Sequence, residues 1–87
     1  AYIELASVYF ERDEVDKGME LLKEALKAEP DQPVALTTLA FGAIVSGNEA
    51  EARKWMQKAA NQPRVGSDDR QALAGAYEET FGRRYMW

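Results

Sequence analysis

Tyr2, Leu5, Ala6 and Tyr9 fall at the i, i+3, i+4, i+7 spacing of one helix face, which predicts a first amphipathic helix over residues 1–11. Arg12, Asp13 and Glu14 interrupt it. Val15, Gly18, Leu22, Ala25 and Leu26 then predict a second helix over 15–28, stopped by Pro30. Glu20 and Glu24 each have a lysine three residues on, which suits a solvated outer face. Pro33 fits the first turn of a third helix that runs to Ser46, and Gly47 fits its end. Asn48 followed by Glu51 reads as a capping box for a fourth helix, whose inner stripe is Ala52, Trp55, Met56, Ala59 and Ala60. After a loop with Pro63 and Gly66, Ser67 is the expected N-cap of a fifth helix. Leu73, Ala76, Tyr77 and Phe81 form its apolar face, and Gly82 ends it.

The pattern repeats. Leu5, Ala6 and Tyr9 return as Leu39, Ala40 and Ala43, and again as Leu73, Ala74 and Tyr77. From position 5 to 39 and from 39 to 73 the step is 34 residues each time. Asp13 returns as Gly47, Gly18 as Ala52, Leu22 as Met56 and Ala25 as Ala59. A fixed period of this size marks stacked helical hairpins, each too small to bury a core alone. The expected fold is therefore all-α, a solenoid of five helices in antiparallel pairs. The expected division is repeat one over 1–32, repeat two over 33–66, a third first-helix over 67–82 and a tail over 83–87.

Composition changes this picture mainly by exclusion. The 87 residues contain no histidine and no cysteine, which removes the commonest general base, thiolate chemistry and sulfur-ligated metal together. A formal net charge of −4 argues against nucleic-acid binding. Residues 33–48 carry no charge, yet they are fewer than the roughly 18 a membrane-spanning helix needs. A helix buried on more than one side is the expected reading.

These residues resemble the tetratricopeptide repeat family. Its pattern is a helix–turn–helix with Leu, a small residue and Tyr on the first helix, a turn Gly, then two Ala and a terminal Pro. Leu5, Ala6, Tyr9, Ala25 and Pro30 match in the first copy, and Leu39, Ala40, Gly47, Ala52 and Ala59 in the second. Asp13, Gly18 and Ala43 depart from the pattern, and Pro63 falls one residue early. A third copy has only its first helix, so the chain is expected to be a piece of a longer repeat protein.

The resemblance implies a right-handed superhelix, TPR-like, whose concave surface is lined by first helices and binds a protein or peptide partner without a cofactor. Carried over, the groove positions are Ile3, Ser7 and Phe10, then Val34, Thr37, Phe41 and Ile44. The last helix adds Gln71 and Glu78, with Asp68 and Gly75 beside them. The groove is expected to be apolar in its middle and acidic toward the last helix. Phe41 and Ile44 have a competing reading as packing, with Phe41 above Gly75. Members that hold acidic C-termini of heat-shock chaperones use Lys, Asn and Arg. Here Ile3, Ser7, Thr38, Asp68 and Ala72 stand at those places, and none is cationic.

Catalysis has little to work with. Asp68 with Asp69, and Glu78 with Glu79, are adjacent on a helix and so point about 100° apart. Ser7, Thr37 and Thr38 have no histidine to activate them. The expected function is a non-catalytic interaction scaffold. The alternatives are a regulatory segment of a longer protein, or a homo-oligomer formed through the repeat ends. Tyr85, Met86 and Trp87 would serve the oligomer unless they fold back as a cap.

Overall fold

The computed structural model describes residues 2–30 and 32–86, with side chains from Glu4 onward. Among the described residues five α-helices form: α1 (Tyr2–Glu11), α2 (Val15–Ala28), α3 (Pro33–Val45), α4 (Glu49–Ala60) and α5 (Ser67–Phe81). α1 packs chiefly on α2, and α3 on α4, as two helical hairpins. α2 joins them by packing on α3, and α5 lies against α3 and α4. α3 touches all four other helices, which explains its uncharged sequence.

The two hairpin turns are built alike. The N–H of Glu14 donates to Tyr9 O at 2.8 Å and that of Asp13 to Phe10 O at 3.1 Å. In the second repeat Asn48 donates to Ala43 O and Gly47 to Ile44 O, both at 3.0 Å. These paired bonds satisfy carbonyls left open at a helix end, and they require one residue in the left-handed region. Asp13 (φ 60°) and Gly47 (φ 78°) supply it. Asp tolerates that conformation better than most side chains.

Three caps differ from expectation. Asn48 accepts from Glu51 N at 3.2 Å, but Glu51 does not reach back. Its carboxylate instead accepts from Trp55 Nε1 at 2.7 Å and lies 3.8 Å from Lys23 Nζ of α2. Ser67 is the first residue of α5, and Gly66 takes the N-cap place with no side-chain bond. α3 gains a cap the sequence did not advertise, where Gln32 Oε1 accepts from Ala35 N at 2.9 Å.

The core runs through both hairpins as one cluster that includes Ala6, Leu22, Leu39, Met56 and Tyr77. Val65, read as loop, also reaches it. Leu5 does not. It is 47% exposed, whereas its counterparts Leu39 and Leu73 are 0% and 3% exposed. Position in the repeat is the same in all three. In the second and third copies the preceding hairpin's second helix packs against the first helix, and α1 has no such neighbour among the described residues.

Small residues set the closest approach. A Cβ on Gly18 would stand 2.9 Å from Phe10 Cε1 and 3.2 Å from Ala6 O. One on Gly42 would stand 3.2 Å from Met19 Cγ and 3.3 Å from Phe10 Cε1. Phe10 thus packs against glycines of both α2 and α3.

Candidate functional site

α3 presents Thr38, Phe41 and Val45 at the i, i+3, i+7 spacing of one face. On one side of that row a depression of about 230 Å³ opens toward the α1–α2 turn. Phe10, Asp13 and Val15 line it together with Thr38, Phe41, Gly42 and Val45. On the other side a second depression, about 280 Å³, opens toward α5 and is lined by Thr37, Thr38, Phe41, Asp69, Ala72 and Leu73. Thr38 and Phe41 belong to both, so the two form one furrow that crosses α3. Phe41 is 49% exposed at its middle. A large half-exposed aromatic on a rigid helix is a contact group whose ordering has already been met by folding.

The furrow is apolar in its walls and acidic at both sides. Asp13 and Asp69 are its charged lining residues, and no Lys or Arg joins them. Both carboxylates stand outside the ion pairs formed among the described residues.

Of the expected groove positions, Phe10, Thr37 and Phe41 line this furrow. Ser7, Val34, Gln71 and Glu78 are exposed but lie outside its lining. Ile44 is buried in the core cluster, so it offers a partner no surface; α3 is packed on by helices from both hairpins, and that position is covered. The Ile3 side chain and Trp87 lie outside the described residues. Phe41 does not sit over Gly75, where a Cβ would meet nothing within 4 Å. Asp13, Val15, Val45 and Asp69 were not expected in the groove. The uncharged 38, 41, 45 row was the available signal, one residue beyond Thr37 and Ile44.

The last helix and tail form a second, polar locality. Tyr85 meets the buried Tyr77 ring edge-on at 5.2 Å between centroids, and Phe81 lies 4.8 Å from the same ring. This part of the tail folds back, while Met86 stays exposed. Tyr77 donates its hydroxyl proton to Glu49, whose carboxylate also lies 3.3 Å from Arg83 Nε. Glu49 therefore joins α4 to α5 and the tail. Burial chiefly raises the Tyr77 pKa above its ordinary value, and the hydrogen bond and charge of Glu49 add to this. Burial likewise raises that of Tyr85.

Trp55 is buried on the inner stripe of α4, as expected. Lys54 and Lys58 place their ammonium groups 4.9 and 5.2 Å from its ring centroid. Among the described residues no group of three or more carboxylates could hold a metal ion, and no helix is long and apolar enough to cross a membrane.

No curated protein and no solved structure matches the chain. A family model does match, the tetratricopeptide repeat, over residues 1–42. That stretch holds the whole first hairpin and most of α3, including Phe10, Asp13 and Phe41 of the furrow. The all-helical hairpin architecture and this match agree, and residues 1–42 are similar to a tetratricopeptide repeat.

Proposed function

We propose that the protein is a non-catalytic interaction module that takes a segment of a partner protein into the furrow across α3. Tetratricopeptide repeats generally mediate protein–protein interaction, which gives the coarse reading. The observation that carries the finer one is the half-exposed Phe41 shared by two contiguous depressions. The larger of them falls just short of the roughly 300–1,000 Å³ of small-molecule sites. A row of such shallow, side-chain-sized spaces suits a polypeptide laid across the helix. The carboxylates at the furrow are separated onto different elements, and the chain has no histidine to serve as a base.

The test is Phe41→Ser. Phe41 is half-exposed, so the variant should keep its helical circular dichroism and melt within a few degrees of the parent. Binding of a segment selected from a random peptide library should fall by about tenfold or more. Unchanged affinity would move the site elsewhere.

A second reading, self-association, is favoured by the exposure of Leu5 and Val8 on α1 and of Met86 in the tail. Light scattering over a concentration series separates the two. A mass that stays monomeric keeps the furrow as the interaction surface. A dimer dissolved by Leu5→Glu would move it to α1.

A further inference from the structure

We infer that the occupant of the furrow is a segment with one large apolar side chain flanked on both sides by Lys or Arg. This rests on the furrow being the binding surface, and adds what the surface selects. The depression toward the α1–α2 turn is walled by Phe10, Val15, Phe41 and Val45, and at about 230 Å³ it suits a single side chain. Asp13 stands at this depression, and Asp69 lines the one on the far side of Phe41. An apolar anchor seated beside Phe41 therefore has a carboxylate on either hand.

Three observations make these carboxylates a recognition pair rather than ordinary surface charge. Among the described residues Asp13 and Asp69 form no ion pair, unlike Glu14, Glu24, Glu49 and Glu51, and they differ from other unpaired carboxylates such as Asp16 and Asp68 in lining the furrow. Both are held on well-defined backbone. Asp13 is fixed in the left-handed turn by its N–H to Phe10 O, and Asp69 lies in the first turn of α5. Between them, the Thr37 hydroxyl donates to Val34 O at 3.1 Å, while that of Thr38 bonds to nothing among the described residues and is left for a ligand's backbone. An acidic segment would meet two unpaired carboxylates and no cation, so complementarity excludes it.

Two short fluorescein-labelled peptides test this by anisotropy, one with a leucine flanked by lysines and one with the leucine flanked by glutamates. The lysine-flanked peptide should bind at least about tenfold more tightly at low salt, and the preference should shrink at about 0.5 M salt, where charges are screened beyond a few Å. An Asp13→Asn, Asp69→Asn double variant should lose about tenfold for the lysine peptide, since an exposed pair contributes up to roughly fivefold in Kd. Asn keeps the left-handed turn at position 13, so circular dichroism should be unchanged.

Equal affinity for the two peptides, or a preference that survives in the double variant, overturns the inference; so does failure of both peptides to bind. Phe41→Ser separates the causes. If it abolishes binding that the double variant leaves intact, the furrow stands and the acidic selection falls. If it changes nothing, the furrow itself is not the site.

Discussion

The two hairpins solve one packing problem with opposite divisions of volume. In the first, Phe10 on α1 lies against Gly18 on α2, and a Cβ there would collide with its ring. In the second, the same two places hold Ile44 and Ala52, both buried. The first hairpin combines a large residue with a glycine, and the second a medium residue with an alanine. The combined side-chain volume at the two places is similar in both hairpins, and neither residue can be judged without the other. The hairpins differ in surroundings too. Leu39 is sealed by neighbours that Leu5 lacks among the described residues, so one position of the repeat is core in one copy and exposed in the other.

The contrast breaks most sharply at the leucines. Leu39→Ala should cost about 2–5 kcal/mol by leaving a cavity in α3, and Leu5→Ala less than about 1 kcal/mol. Urea midpoints of the two variants check this, and similar losses would mean that Leu5 is covered in solution. Gly18→Ala comes next. The clash with Phe10 and Ala6 O should outweigh the helix-propensity gain and cost about 1–2 kcal/mol. Adding Phe10→Ile copies the second hairpin into the first and should recover most of the loss. A double-mutant cycle with no coupling between positions 10 and 18 would remove the volume argument.

A smaller effect compares the turns. Asp13→Gly gives the first turn the residue that the second already has at φ 78°, and should stabilise by about 0.5 kcal/mol. The last effect is absent at neutral pH. Tyr77 and Tyr85 have raised folded pKa values, so their contribution is complete below the unfolded tyrosine value of about 10 and is lost as pH rises through the folded values. Urea midpoints should fall less between about pH 8 and pH 11 in a Tyr77→Phe, Tyr85→Phe variant than in the parent.

Helix number, the bounds of α2 and the equivalence of the turns were legible because they rest on local rules. Asp13, Gly47, Pro33 and the 34-residue recurrence each act within a few residues of where they are read. The candidate site was legible only in outline. Phe10, Thr37 and Phe41 line the furrow, but Ile44 does not, because burial of that position depends on which helices flank α3. The Glu51 carboxylate shows the same limit at the level of one hydrogen bond. Local spacing assigns it to the cap of α4, and Trp55 Nε1, with Lys23 nearby, draws it away.

The central place of α3 has a consequence for how the molecule opens. Fraying of α1 or α5 leaves most of the array in place, whereas α3 packs on every other helix. Amide exchange should therefore be graded from the ends inward, with the α3 amides exchanging only through complete unfolding. The helix that carries Phe41 is then the slowest clock in the protein, and a partner seated on it touches the last part of the array to come apart.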